Sequence, residues 1–113
     1  MSYSLKFTPD FTKAFKKLSK RHRSLKDDFK SFSEDLKQNP FQGVELSPGI
    51  RKIRLSITSK GKGKSGGARV ITYTVVATER DGVVYFMNIY DKSDFETIDT
   101  AIIQSLIKEM GLE

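Results

Sequence analysis

The sequence predicts an α+β fold in the order β-α-α-β-β-β-α, with the helices packed on one face of a mainly antiparallel sheet. The prediction comes from three segments that differ in the spacing of their apolar residues. The spacing is helical over residues 9–38, alternates over residues 50–90, and is helical again from residue 93. No repeat or linker interrupts the 113 residues, so we expect a single domain spanning residues 1–113.

The N-terminal segment predicts a short strand followed by a helix. Tyr3, Leu5 and Phe7 alternate with polar residues, as in a strand. Thr8 is a predicted N-cap, and Pro9 suits the first helical position. The apolar residues of this helix share one face: Phe11, Ala14, Phe15 and Leu18.

A second helix is predicted to begin at Ser24, with Asp27 three residues later, and to end before Pro40. Its apolar residues again fall on one stripe: Leu25, Phe29, Phe32 and Leu36. The connection between the two helices is short. We therefore expect a helical hairpin.

Three strands are predicted after a turn-rich connection that contains Gly43 and residues 47–49. In the first of them the core residues Ile53, Leu55 and Ile57 alternate with polar ones, so Lys52 and Arg54 should project together from the opposite face. Residues 70–78 and 83–90 predict the other two strands, joined by a hairpin turn at residues 80–82.

The last helix is predicted to begin at residues 93–96, where Ser93 and Glu96 have the spacing of a capping box. The apolar residues expected along its buried side are Ile98, Ile102, Leu106 and Met110.

The formal net charge is +6, and the cations are concentrated in two blocks. Residues 11–26 contain seven Lys or Arg and no acid, and the same is true of residues 46–78. The rest of the chain has six bases and 14 acids. Two basic blocks on an otherwise acidic chain predict a polyanionic partner. For the first block the alternative is a solvated helix face.

Several classes of site and location are excluded or disfavoured by composition. Without cysteine the chain has no disulfide or thiolate metal site, and the single histidine, His22, cannot form a histidine metal site alone. We therefore expect no metal and no cofactor. No apolar run approaches the ~20 residues of a membrane span, and the N-terminus lacks a signal-peptide apolar region. These features predict a soluble, cytoplasmic protein.

The segment SKGKGKSGGAR, residues 59–69, has the composition of a phosphate-binding loop. A P-loop would need glycine at position 58, which is Thr58, and a helix after the loop, where the sequence predicts a strand. We therefore predict a flexible cationic hairpin that can lie along a phosphate backbone. A disordered surface hairpin with solubilising lysines is the alternative.

Five segments carry a resemblance to a known family: YSLKFTPDFTKAFKKL, RSLKDDF, NPFQG, GIRKIRLSITSKGKGKSGGARVITY and VYFMNIYDKSD. With them the chain resembles the RelE/ParE superfamily of bacterial toxins, and more narrowly its HigB-like, RelE-type branch. The resemblance implies a RelE-like fold and a ribosome-dependent mRNA endonuclease. It also implies a cognate antitoxin as partner, usually one with a DNA-binding helix-turn-helix.

The resemblance places the family's catalytic cations on Lys52, Arg54, Arg69 and Lys92. RNA cleavage by 2′-hydroxyl attack, without a metal, needs a base, charge stabilisation and an acid. Neighbouring cations lower the pKa of a lysine, so we assign Lys52 as the base. Arg54 and Arg69 would bind the phosphate, and Lys92 would be a further stabiliser or the acid.

RelE has a functional tyrosine where this chain has Ile98. The resemblance therefore leaves the acid open, and Tyr90 and Tyr73 are the nearby substitutes, Tyr90 being the candidate auxiliary residue. The remaining cations predicted to contact RNA or the ribosome are Arg51, Lys60, Lys62, Lys64, Lys16 and Lys20.

Two other functions stay open at this point. A ParE-like toxin poisons DNA gyrase without cutting anything, and a plain RNA-binding module would bind without turnover. Clustering of Lys52, Arg54 and Arg69 on one sheet face favours the nuclease.

Overall fold

The computed structural model describes residues 3–61, 63, 66–95 and 97–112. Within these residues the chain forms three helices and a five-stranded sheet, which confirms the α+β prediction. The elements in chain order are β1 (Ser4–Phe7), α1 (Pro9–Arg21), α2 (Leu25–Gln38), β2 (Val44–Ser47), β3 (Ile50–Leu55), a 3-10 turn (Thr58–Lys60), β4 (Ala68–Val76), β5 (Gly82–Asp91) and α3 (Thr100–Glu109).

The sheet has the strand order β1-β5-β4-β3-β2. β1 runs parallel to β5, and the other three pairs are antiparallel. The first and last strands of the chain are therefore neighbours in space.

The start of α1 agrees with the sequence prediction. The Thr8 hydroxyl accepts a hydrogen bond from the Phe11 backbone N–H at 3.1 Å, as an N-cap does. The same hydroxyl donates to the Phe86 carbonyl at 2.8 Å. The cap thus fixes α1 to β5 as well as closing its own first turn.

The start of α2 differs from a capping box. Ser24 lies at the N-cap with helical backbone angles, and its side chain makes no cap hydrogen bond. Since an N-cap side chain needs an extended backbone to reach the first turn, the Ser24 hydroxyl bonds elsewhere. It donates to Asp28 at 2.7 Å and accepts from the Ser59 N–H at 2.8 Å.

The helical hairpin of α1 and α2 covers one face of the sheet. Its core contains Phe11, Leu18, Leu25, Phe29 and Leu36 from the helices. The strand residues in the same core are Tyr3, Ile53, Leu55, Val70, Val84, Phe86 and Ile89. The predicted core face of β3 is therefore confirmed.

The prediction that all helices share one face is wrong for α3. Ile103 and Ile107 of α3 pack in a second core with Ile71 and Met87. Because neighbouring strand residues point to opposite faces, Val70 and Ile71 belong to different cores. The central strands β4 and β5 are thus covered on both sides and read as nearly continuous apolar runs, whereas β3 keeps its alternation.

The start and the buried side of α3 also differ from the predictions. The helix begins at Thr100, where the Asp99 side chain accepts from the Ala101 N–H at 2.9 Å. Residues 92–94 instead form a turn, and Glu96 of the predicted box lies outside the described residues. Of the predicted apolar side, Ile98 and Leu106 pack against the second core, whereas Ile102 and Met110 are 55% and 39% exposed.

Residues 44–47, predicted as part of a connection, form the edge strand β2. Val44 lies opposite Lys52, and β2 gains its hydrogen-bonding partner only from β3. Four residues are too few for an alternating pattern to stand out in the sequence. Among the described residues, no helix has both the length and the apolar character needed to cross a membrane.

Candidate functional site

Two neighbouring strands bring two arginines side by side on the face of the sheet that carries α3. Arg54 on β3 lies directly opposite Arg69 on β4, and Arg69 lies opposite Tyr90 on β5. Lys52 precedes Arg54 by two residues and so faces the same way. The predicted projection of Lys52 and Arg54 from one face is confirmed.

A groove of about 490 Å³ runs along this face beside β2. All four cations predicted as catalytic line it: Lys52, Arg54, Arg69 and Lys92. The other lining residues are Gln42, Gly43, Val44, Leu46 and Ile53. The structure thus gathers residues that span forty positions of sequence into one cationic groove, the name used below for this site.

One wall of the cationic groove depends on Gly43. Its φ of +78° favours glycine, and a Cβ there would overlap the Lys52 carbonyl oxygen. Only a glycine allows residues 42–44 to lie this close to β3. This wall of the groove therefore lies directly beside Lys52.

Arg69 is the most buried cation of the groove, at 5% exposure. Burial lowers the pKa of its guanidinium, nearby Arg54 lowers it further, and Tyr90 acts in the opposite direction. Arginine nevertheless keeps its charge in proteins, so Arg69 presents a fixed positive charge in a poorly solvated place. Its Nη1 donates to the Ala68 carbonyl at 3.1 Å, which orients the side chain.

Tyr90, the candidate auxiliary residue, lies opposite Arg69 on β5 and is not among the residues that line the groove. It belongs to the second core, and its ring packs edge-on against Phe95. Burial raises the pKa of the Tyr90 phenol, while the charge of Arg69 opposes that rise. Its hydroxyl is buried and has no hydrogen-bond partner among the described residues, so it is not exposed to a ligand in the groove.

Ile98, the residue at the position of the RelE tyrosine, lies away from the cationic groove. The same holds for Tyr73, the other possible substitute. Ile98 packs against the second core, and so does Tyr73. Neither lines the groove.

Two cations predicted to contact RNA have other partners. Arg51 faces away from the groove, donates to the Phe41 carbonyl at 3.0 Å and lies 5.5 Å from the centre of the Phe41 ring. The Lys60 side chain is 12% exposed, with its Nζ 2.7 Å from Asp91 Oδ1. Neither residue lines the cationic groove, because alternation turns Arg51 to the other face and Asp91 holds Lys60; their contact with RNA stays a prediction.

Of the remaining predicted RNA contacts, the two that the structure describes, Lys16 and Lys20, do not join the groove. Lys16 and Lys20 are exposed on α1, which packs on the opposite face of the sheet. Lys62 and Lys64 lie outside the described residues. Lys16 and Lys20 therefore form a surface separate from the cationic groove.

A buried ionic cluster at the end of β5 was not predicted from the sequence. The Asp91 carboxylate is 1% exposed and lies 2.7 Å from Lys60, 2.8 Å from His22 and 3.5 Å from Arg21. It also accepts the Ser93 N–H at 2.8 Å. Burial would raise the pKa of Asp91, but the hydrogen bonds from Lys60, Ser93 and His22 hold it well below its usual value.

A second carboxylate holds the 3-10 turn from the other side. Asp28 accepts the Thr58 N–H at 2.8 Å and the Thr58 hydroxyl at 2.6 Å. Partial burial would raise the pKa of Asp28, but the hydrogen bonds from Thr58 and Ser24 lower it below the usual value. The connection that leaves β3 is thus attached to α2 as well as to β5.

These two carboxylates predict acid sensitivity. Both have a lower pKa in the fold than in the unfolded chain, so the unfolded state binds more protons as the pH falls. Their stabilisation is complete above about pH 5 and is lost as the pH falls through the ordinary aspartate pKa of ~3.9 towards the folded values. Urea unfolding at pH 7, 5, 4 and 3 should show this loss.

The matched variants are Asp91→Asn and Asp27→Asn, the latter an exposed residue on α2. Asp91→Asn should be less stable at pH 7 and lose less on acidification, whereas Asp27→Asn should follow the wild type. Equal acid losses in Asp91→Asn and wild type would contradict the prediction.

Within the described residues, no three His, Cys, Asp or Glu side chains are grouped so that they could hold a metal ion. The chemistry that can be argued for this face comes from its cations, which can bind and polarise a phosphate group.

Comparison with known proteins shows the fold. No protein-family model matches the sequence. A solved structure of E. coli toxin RelE, a mutant in the free state, matches with a TM-score of 0.58 and 19% identity, covering 85% of this chain and 90% of that one. At this identity the likeness concerns the fold, and it confirms the predicted RelE-like fold.

Proposed function

We propose that the protein is the toxin of a toxin–antitoxin module and acts as a ribosome-dependent endoribonuclease of the HigB/RelE type. The supporting observation is the cationic groove, in which Lys52, Arg54, Arg69 and Lys92 meet. The RelE fold adds a fold-level analogy, since the matching structure is that of a toxin. The proposed partners are a cognate antitoxin, messenger RNA and the decoding site of the ribosome, which places the activity in the cytoplasm.

The proposed reaction uses side chains of this chain alone. A ribose 2′-hydroxyl attacks the adjacent phosphorus, the bond from phosphorus to the 5′-oxygen breaks, and the products are a 2′,3′-cyclic phosphate and a 5′-hydroxyl. Lys52 takes the proton from the 2′-hydroxyl, and Lys92 stabilises or protonates the leaving oxygen.

Arg54 and Arg69 would bind the non-bridging oxygens, on which negative charge increases in the transition state. They lie opposite each other on adjacent strands, so their positions relative to the phosphate are set by the sheet. A site on paired strands holds its groups more firmly than a site on a loop. This is why the groove, and not residues 61–66, is assigned the chemistry.

Primer extension on a defined messenger tests the proposal, with purified protein and with or without programmed ribosomes. We expect cuts only with ribosomes, in the codon at the decoding site, and none from Lys52→Ala. Lys30→Ala, an exposed lysine on α2 outside the groove, is the matched control and should cut like the wild type.

Uncut messenger in every lane, from protein that still arrests growth, would contradict the proposal. A gyrase supercoiling assay would then test the gyrase-poison alternative. Ribosome binding without cuts and without growth arrest would indicate a binding module.

A further inference from the structure

Asp91 lies at the junction of three parts of the molecule. It is the last residue of β5, it precedes Lys92 of the cationic groove, and it lies opposite Ala68, next to Arg69. Its side chain is directed away from the groove into the ionic cluster with Lys60. Asp91 therefore connects Lys92, a cation of the groove, to the ionic cluster outside the groove.

Both ends of the connection between β3 and β4 are bonded to the end of β5, the first through the ionic cluster and the second through a backbone hydrogen bond. At the first end, Lys60 of the 3-10 turn bonds to Asp91 at 2.7 Å and to the Ser93 hydroxyl at 3.1 Å. At the other end, the Lys92 N–H donates to the Gly67 carbonyl at 3.0 Å. Lys92 is thus held from both sides, by its neighbour Asp91 and by Gly67.

The end of α1 completes the cluster. His22 lies 2.8 Å from Asp91, and Arg21 spans Asp91 and Asp94 at 3.5 and 2.6 Å. Since α1 is packed in the first core, it offers a rigid support for the cluster. The cationic groove lies on the other face of the sheet, so α1 can affect the groove only through the end of β5.

We propose that Asp91 is a positioning residue of the cationic groove: its buried carboxylate sets the position of Lys92 and of the ends of the β3–β4 connection relative to Arg54 and Arg69. The catalytic part of this inference rests on the proposed function. Asp91 itself is assigned no contact with RNA.

The energetics favour positioning over stability as the role of this carboxylate. Burying an ion pair costs desolvation that the attraction between the charges repays only in part, so apolar residues would stabilise the same place at least as well. A charged cluster instead fixes geometry, because Asp91 accepts from groups that arrive from α1, the 3-10 turn and its own backbone. Asparagine keeps the shape but removes the charge that holds Lys60 and Arg21.

The first test is amide hydrogen exchange by NMR on the full chain, which does not depend on any activity. Asp91→Asn should exchange at least about tenfold faster than wild type at Lys92, Lys60 and Gly61, whose N–H groups are hydrogen-bonded at the two ends of the connection. Amides in the middle of α2, such as Phe32, should speed up by a smaller factor, no larger than the loss of global stability that urea unfolding measures. Asp94→Asn is the matched control, since the Asp94 carboxylate is more exposed and, among the described residues, bonds only to Arg21; it should leave all these rates within about twofold.

Unchanged exchange at Lys92 and Lys60 in Asp91→Asn would overturn the inference, and so would an equal increase throughout the core, which would make Asp91 a general stabiliser. Should Asp91→Asn fail to fold, the same exchange measurement on Lys60→Gln tests the inference. Lys60→Gln should speed amide exchange at residue 60 and at Gly61. Exchange at the Lys92 amide should stay slow, because Asp91 keeps its other partners.

The second test measures single-turnover cleavage on programmed ribosomes over a range of toxin concentrations. A misplacement of about 1 Å can cost about 10²-fold in rate, so Asp91→Asn should cleave about 10²-fold more slowly at saturation with little change in the half-saturating concentration. Asp91→Glu, which keeps the charge, should recover part of the rate.

A purely electrostatic role predicts the opposite. Removing this acid raises the formal net charge from +6 to +7, which would tighten association with RNA. A lower half-saturating concentration with an unchanged rate in Asp91→Asn would therefore overturn the positioning role. If wild-type protein cuts nothing, the proposed function fails, while the exchange experiment still decides whether Asp91 holds Lys92.

Discussion

Replacing Arg69 by alanine is expected to lower the rate of messenger cleavage on programmed ribosomes by about 10²–10³-fold, the usual loss when one stabiliser of transition-state charge is removed. Arg69 has the largest expected effect of the groove cations because it is nearly fully buried and lies opposite Arg54. Its charge therefore acts on a bound phosphate with little screening by water. Single-turnover primer extension measures the rate.

Two controls separate catalysis from charge and folding. Arg80→Ala removes the same side chain from the exposed turn between β4 and β5 and should cleave like the wild type. Arg69→Lys keeps the charge but loses the planar fork that matches two phosphate oxygens, so it should recover only part of the rate. Full activity of Arg69→Ala would contradict the assignment, as would an equal loss in Arg80→Ala.

Replacing Phe86 by alanine is expected to lower the free energy of unfolding by about 3–5 kcal/mol, the cost of emptying a phenylalanine site in a packed core. Phe86 is fully buried, and its ring centroid lies 5.0–5.2 Å from those of Phe7, Phe11 and Phe29. These rings come from β1, α1 and α2, so the substitution loosens three elements at once. Since a domain of this size is stable by roughly 5–15 kcal/mol, the variant should be close to unfolding at 37 °C.

Urea unfolding at pH 7 measures the change, with Phe95→Ala as the control. Phe95 is 59% exposed and has Tyr90 as its aromatic neighbour, so its removal should cost less than about 1 kcal/mol. Similar losses of unfolding free energy in Phe86→Ala and Phe95→Ala would show that the phenylalanine cluster is not what stabilises the first core.

The part of the site that could be predicted from the sequence is the part that follows from periodicity. Alternation alone places Lys52 and Arg54 on one face, and the next strand along the chain supplies Arg69 because antiparallel neighbours pair. Lys92 follows the last strand and therefore lies near the strand ends. The two helices of the hairpin were predictable for the same reason, since their apolar residues keep a helical period over several turns.

The parts that could not be predicted depend on contacts between distant positions. Asp91 meets His22 and Lys60, which lie 69 and 31 positions away, and no local pattern marks such an ion pair. The same cluster explains why residues 92–94 form a turn and delay the start of α3. The contact of Arg51 with Phe41 likewise joins two residues that are ten positions apart, and no local pattern marks it.

The parallel pairing of β1 with β5 sets an order of events during synthesis. Ser4–Phe7 finds its partner only when residues 83–86 have been made, so the helical hairpin emerges long before the strand that completes its core. Arg69 is likewise made well before Tyr90 and Lys92, the β5-side residues that lie beside it in the fold. A nascent chain therefore lacks the finished groove until roughly the last quarter of the protein is synthesised.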